Sequence, residues 1–150
     1  MPIDEQKALA LEFAPFEVTV ERGRLRMFAA AIGESDPVHT DVTAARDAGH
    51  PDLLMPPTFL FSVELAAPRP FGHLDDLGID LATVLHGEQS FTYHRLVHAG
   101  DTLRVEQRIV GATAKTPAMD FLVRRSEFRR GDELVATAET LTIVRHGGLG

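Results

Sequence analysis

Apolar and polar residues follow two different periods in the first part of the chain. In the stretch PFEVTVERG, Phe16, Val18 and Val20 alternate with polar neighbours, which predicts a strand with one buried face. The next stretch, RGRLRMFAAAIG, changes to a spacing of three and four residues. That spacing predicts a helix over residues 22–33, ended by Gly33.

Three further helices are predicted from spacing and capping residues. Residues 3–13 predict a short helix capped by Asp4, and a second one is predicted over Thr40–Ala48. The segment Thr58–Ala67 is almost wholly apolar and follows Pro57, a residue suited to the first turn of a helix. A helix as apolar as this one is expected to be buried nearly all round.

The second half of the chain predicts long strands. Residues 71–83 contain three Asp and two Gly and predict a surface connection. Four segments with alternating patterns follow, the first with an irregularity expected at Gly87: residues 83–97, 102–115, 119–130 and 133–145. One apolar helix followed by a long antiparallel sheet predicts an α+β fold in which the sheet wraps around the central helix.

Composition narrows the functional classes. The length predicts one domain over residues 1–150, and a net charge of −7 argues against a nucleic-acid partner. The absence of cysteine excludes disulfides and thiolate chemistry. The sequence predicts neither a signal peptide nor a membrane span, so we expect a cytoplasmic protein. The cationic stretch RRSEFRR, residues 124–130, is interpreted as a solvated face of the sheet.

The stretch ESDPVH concentrates the candidate chemistry, because Glu34, Asp36 and His39 fall within six positions. These side chains suit acid–base catalysis, but Asp36 could equally cap the turn before the proline while Glu34 is exposed. His86 and Glu88 share one face of a predicted strand. No third ligand accompanies them, so no metal site is predicted.

Four stretches together resemble the MaoC-like (R)-specific hydratases and dehydratases, which have a hotdog fold. They are VERGRLRMFAAAIGESDPVHTD, LLMPPTFLF, LHGEQSFTYHRLVHAGDTL and ELVATAETLTIVR. The family's hydratase motif, Asp-x-Asn-Pro-x-His, falls on Glu34, Asp36, Pro37 and His39. A longer carboxylate thus replaces the motif's aspartate, and an aspartate replaces its amide.

The resemblance implies reversible hydration of a 2-enoyl thioester to a (R)-3-hydroxyacyl thioester, with catalytic residues His39, Asp36 and Glu34. This reaction also needs a donor for the thioester oxygen, and the first free N–H of the apolar helix, that of Thr58, is in a suitable place. Pro57, Phe59 and Gly87 complete the expected substrate-binding set. The reaction requires no metal or redox cofactor.

The resemblance also implies an acyl-coenzyme A or acyl-carrier-protein substrate. An uncovered sheet edge and helix predict a homodimer, with a heterodimer of two hotdog subunits as the alternative. Two other functions stay open. One is a non-catalytic subunit that shapes an acyl tunnel, and the other is a hotdog thioesterase.

Overall fold

The computed structural model describes residues 2–147. Helix α1, Glu5–Leu9, begins where the Asp4 carboxylate accepts the N–H of Lys7 at 3.0 Å, so the predicted cap is confirmed, although the helix is shorter than residues 3–13. Strand β1 and helix α2 follow at Phe16–Thr19 and Arg22–Ile32, close to their predicted bounds.

Four long strands form most of the sheet, as the alternating segments predict. They are β2 (Val84–Tyr93), β3 (Thr102–Thr116), β4 (Met119–Arg130) and β5 (Glu133–Arg145). The strand order is β1-β3-β4-β5-β2, and every neighbouring pair is antiparallel. The pairing of β2 with β5 shifts register between His86 and Glu88, which confirms the irregularity expected at Gly87.

The apolar central segment packs against the concave side of this sheet but is shorter than predicted. Instead of one helix over Thr58–Ala67, a 3-10 turn at Pro57–Phe59 leads into helix α4, Leu60–Leu65. The core is formed by fully buried side chains from this segment, α2 and the strands: Phe59, Leu60, Val63, Leu25, Leu53, Leu103, Val105, Phe128 and Val135.

The cationic stretch in β4 is solvated only in part, which corrects the interpretation from charge alone. No residue of 124–130 is exposed. The Arg124 guanidinium donates to the buried carboxylate of Glu64 in α4 at 3.1 Å. The Arg130 guanidinium pairs with Asp101 at 2.9 Å. The charge pattern did not indicate that acidic side chains from other parts of the chain pair with these arginines.

The connection between α4 and the sheet is more ordered than a surface loop. It contains helix α5, Gly72–Asp76, whereas helix α3, Val42–Asp47, lies before the central segment and within its predicted bounds Thr40–Ala48. Leu74 of α5 is buried in a second apolar cluster with Leu122 of β4. None of the described helices is long and apolar enough to cross a membrane.

Candidate active site

A tight turn after α2 carries the three candidate catalytic residues. Gly33 ends α2 with a left-handed φ of 71°, and residues Pro37–His39 form a 3-10 turn. The Asp36 carboxylate accepts the N–H of Val38 at 3.1 Å and so caps this turn. The Glu34 carboxylate accepts the N–H of Asp36 at 3.0 Å.

His39 is held by a backbone carbonyl. Its ring Nδ1 lies 2.7 Å from the carbonyl oxygen of Leu54, and the residue is only 7% exposed. A carbonyl oxygen can only accept, so Nδ1 must carry the hydrogen. The neutral ring therefore keeps its lone pair on Nε2, the nitrogen that a base would use.

The carbonyl that holds His39 belongs to a well-anchored segment. The Leu54 N–H donates to the carbonyl of Val38 at 2.9 Å, one residue before the histidine. On the other side, Met55 donates to the carbonyl of Val97 at 2.9 Å. Segment 53–55 is thus fixed between the turn and the chain that follows β2, and the imidazole orientation follows from that.

A cavity of about 590 Å³ opens beside His39. Its walls are mostly apolar, and its lining residues come from the turn, segment 54–57 and the end of β2: Glu34, His39, Leu54, Met55, Pro57, Tyr93, His94, Arg95, Leu96 and Val97. His39, which is buried, and Glu34, which is exposed as the alternative interpretation predicts, therefore line one cavity. Asp36 is not among its lining residues, and its carboxylate is used by the turn.

The four expected substrate-binding residues lie in different environments in the structure. Pro57 lines the cavity, and Thr58 follows it directly with an exposed side chain. Phe59 is 1% exposed and packs edge-to-face on Phe28, with ring centroids 5.4 Å apart, so it belongs to the core. Gly87 lies at the bulge in β2 beside Ile143 and is not among the residues that line the cavity.

Tyr93 is a cavity residue that the sequence did not single out. It is the last residue of β2, and its hydroxyl donates to the carbonyl of Pro57. Partial burial raises the pKa of the Tyr93 phenol to about 12, so it is a neutral donor at physiological pH. The one available signal was compositional, because this is the only tyrosine in the chain.

Sequence comparison identifies the family. The model of the FAS1-like dehydratase domain region matches residues 7–138. The chain belongs to this dehydratase family. A UPF0336 protein from Streptomyces coelicolor is 41% identical over 133 residues, which cover 88% of this chain and 87% of that protein.

Solved structures of similar shape agree with the dehydratase family. The HadBC (3R-hydroxyacyl-ACP dehydratase) complex from Mycobacterium tuberculosis contains a chain 28% identical, with a TM-score of 0.73 over 88% of this chain and 93% of that one. A MaoC-like dehydratase is 26% identical, with a TM-score of 0.80 over 92% of this chain and 42% of that longer one. The hotdog fold and the MaoC-like relationship predicted from sequence are confirmed.

Within this dehydratase family member, His94 also lines the cavity, whereas His86, His50 and His98 make contacts elsewhere. The His86 ring stacks on Phe61 with centroids 5.4 Å apart. His50 Nδ1 lies 3.0 Å from His98 Nε2, and burial, followed by the charge of His50, lowers the pKa of His98. Across residues 2–147, no three His, Asp or Glu side chains form a group that could hold a metal ion.

The arrangement in the cavity suits proton transfer. It combines an imidazole with one nitrogen fixed and one free, a carboxylate held by a backbone N–H, and apolar walls. The apolar walls suit an acyl chain, because burial of apolar surface is favourable. A histidine and a carboxylate that line one cavity can both contact a molecule bound there.

Proposed function

We propose that this protein is a hydro-lyase that reversibly adds water to a 2-enoyl thioester and forms a (R)-3-hydroxyacyl thioester. One observation carries the proposal. The His39 ring, with its Nδ1 bound to the Leu54 carbonyl, lines the same cavity as the Glu34 carboxylate. Membership of a dehydratase family supports this class of reaction.

His39 is the general base in the hydration direction. Its Nε2 accepts a proton from water while the water oxygen forms a bond to C3 of the enoyl chain. The imidazolium so formed keeps its Nδ1–H bond to the Leu54 carbonyl, whose oxygen lies 2.7 Å from Nδ1 in the structure. The electron pair of the double bond moves to the thioester enolate, and C2 then takes the proton held on Nε2, which returns the imidazole to its neutral form. A base placed in this way contributes about 10²- to 10⁴-fold in rate.

Glu34 is the carboxylate that we assign to the reaction, in preference to Asp36. One oxygen of Glu34 accepts the Asp36 N–H at 3.0 Å, and the second oxygen is left to orient the attacking water. The Asp36 carboxylate caps the turn instead. Asp36 is therefore proposed to act indirectly, by holding the turn that carries His39.

The enolate oxygen needs a hydrogen-bond donor at the start of the central segment. Pro56 and Pro57 have no N–H, so the first available donor is the N–H of Thr58, directly after a residue that lines the cavity. We assign the thioester oxygen to this donor. Loss of one such donor typically costs roughly 3–4 kcal/mol in the activation barrier.

Two copies of the chain are proposed to pair through β2. This strand is ten residues long, lies at the sheet edge and carries the exposed apolar side chains of Leu85 and Tyr93. An edge of this length invites pairing with another strand. The thioester carrier, coenzyme A or acyl carrier protein, would enter beside this boundary, because Tyr93 also lines the cavity.

The test is a direct assay with crotonyl-CoA. The wild-type protein should remove the enoyl absorbance and form 3-hydroxybutyryl-CoA of the R configuration. The His39→Ala variant should lose at least about 100-fold in kcat because the base is missing. Release of free thiol without hydration would indicate a thioesterase, and full hydration activity in His39→Ala would contradict the site.

A second candidate function is a non-catalytic subunit of a heterodimeric dehydratase. The observation that favours it is the similarity to a chain of the HadBC complex. In that case the protein alone would leave crotonyl-CoA unchanged, and activity would require a second hotdog chain. Mixing this chain with the second purified hotdog chain separates the two candidate functions. The His39→Ala variant should abolish activity in the mixture only if this chain holds the base.

A further inference from the structure

A single hydroxyl group joins the two sides of the His39 cavity. The Tyr93 phenol, at the end of β2, donates to the carbonyl of Pro57, at the start of the central segment. Both residues line the cavity, and they lie 36 positions apart in the chain. The bond therefore connects the sheet to the segment that leads into α4.

The Tyr93 side of this contact is rigid. Tyr93 pairs with Ala136 in the β2–β5 ladder. The next two residues, His94 and Arg95, both donate their N–H groups to the carbonyl of Val135, at 2.8 and 3.1 Å. The phenol ring also stacks beside Phe91, with centroids 6.0 Å apart. The hydroxyl is thus presented from a fixed point.

The Pro57 backbone makes few hydrogen bonds of its own, although the side chains of Phe59 and Leu60 that follow it are buried in the core. Pro56 and Pro57 supply no N–H, so the backbone here can be tied to its surroundings only through carbonyl oxygens. The Pro56 carbonyl is used inside the turn, where it accepts the N–H of Phe59 at 3.0 Å. The Pro57 carbonyl accepts a hydrogen bond from outside the turn, and the donor is the Tyr93 hydroxyl.

From this geometry we infer that Tyr93 is a positioning residue for the His39 cavity. Its hydroxyl holds the Pro57 carbonyl. It thereby fixes the position of the Pro57 wall, meaning the part of the cavity lining that Pro57 forms, and of the following Thr58 N–H relative to His39. The inference rests on the proposed function for its effect on the reaction, but the tether itself can be measured without any activity.

The first test measures amide hydrogen exchange in the Tyr93→Phe variant. The variant keeps the ring and removes only the hydroxyl, so the protein should fold. Exchange of the Phe59 N–H should rise about fivefold, as expected for the loss of one net hydrogen bond from the turn. Thr19→Val is the matched control, because it removes a hydroxyl pair with Thr102 at 2.8 Å in β1, outside the cavity. Equal Phe59 exchange in the two variants would overturn the inference.

The second test measures kinetics on crotonyl-CoA. A tether that only positions the wall should change kcat more than KM, so we expect about a tenfold lower kcat in Tyr93→Phe and a KM within about twofold. Thr19→Val should match the wild type in both constants. An unchanged kcat, or a KM effect alone, would overturn the positioning role even if exchange at Phe59 rises.

The two tests separate this inference from the proposed function. If the wild-type protein does not hydrate crotonyl-CoA, the proposed function fails, and Phe59 exchange still decides whether Tyr93 holds the Pro57 wall. If hydration is found and Tyr93→Phe behaves like Thr19→Val throughout, the reaction stands and the inference fails.

Discussion

At the scale of single residues, two carboxylates that are equivalent in sequence have different roles in the structure. Glu34 and Asp36 both precede His39 by a few positions. The Asp36 carboxylate accepts the Val38 N–H and closes the 3-10 turn, whereas Glu34 lines the cavity with His39. A shorter side chain suits a cap, and a longer one reaches a ligand.

This difference predicts opposite effects for two matched substitutions. Glu34→Gln should reduce kcat on crotonyl-CoA by about 10²-fold or more, because the water loses its orienting carboxylate. Asp36→Asn should retain most of the activity and the stability, since an asparagine side chain also caps well. Steady-state kinetics on the two variants checks this. A larger kcat loss in Asp36→Asn would reverse the assignment.

The sequence indicated the site chemistry but not its supporting contacts. His39 and Glu34 could be proposed from their types and spacing. The Leu54 carbonyl could not, because every residue has the same backbone group and only the fold decides which one meets the imidazole. Tyr93 was missed for a related reason, since its partner lies 36 residues away and is again a carbonyl.

At the scale of elements, periodicity predicted strands better than helices. A strand of ten or more residues repeats its alternation several times, so β3 to β5 were predicted near their bounds, whereas β2 ends at Tyr93 and not at residue 97 as predicted. The apolar run after Pro57 has no repeating pattern of polar and apolar positions that would show where the helix ends. It contains Glu64, which is buried against Arg124 of β4 at 3.1 Å, and the helix ends one residue later.

The bulge in β2 supports a prediction about close packing. A Cβ atom at Gly87 would lie 2.9 Å from Cδ1 of Ile143, so Gly87→Ala should destabilise the protein by about 1–2 kcal/mol. Gly111→Ala is the control, because its Cβ would meet Val123 at 3.5 Å, an ordinary contact. Urea unfolding of both variants checks the difference. Equal stabilities would show that β2 shifts freely at the bulge.

At the scale of the whole molecule, one buried imidazole makes stability depend on pH. Burial lowers the pKa of His73 in α5 to about 4 from an ordinary value of 6.5. Between these values the unfolded chain binds more protons than the folded one, so the free energy of unfolding decreases as the pH falls from 6.5 to 4. Above pH 6.5 this contribution is fully present.

The His73→Phe variant should therefore lose part of the acid sensitivity. Relative to the variant, the wild type should lose up to about 3 kcal/mol between neutral pH and pH 4, as measured by urea unfolding at several pH values. His94→Gln serves as the control because that imidazole is exposed. A pH dependence in His73→Phe identical to that of the wild type would contradict the prediction.

The proposed pairing through β2 predicts a change in mass. The wild-type chain should sediment as a dimer of the 16.4 kDa chain. Leu85→Lys should shift it toward monomer, because it places a charge on the exposed edge strand. Val110→Lys, at a similarly exposed apolar position in β3, should remain dimeric. A monomeric wild type would contradict a homodimer.

The peptide group of Leu54 has an evolutionary consequence. The main-chain oxygen of Leu54 accepts the hydrogen bond that fixes the proton on Nδ1 of His39. A different side chain at position 54 therefore cannot remove this hydrogen bond. Relatives are thus free to vary residue 54 without altering the tautomer of the base. A mutational scan by side chain would pass over this position, because every side-chain replacement leaves the main-chain oxygen in place.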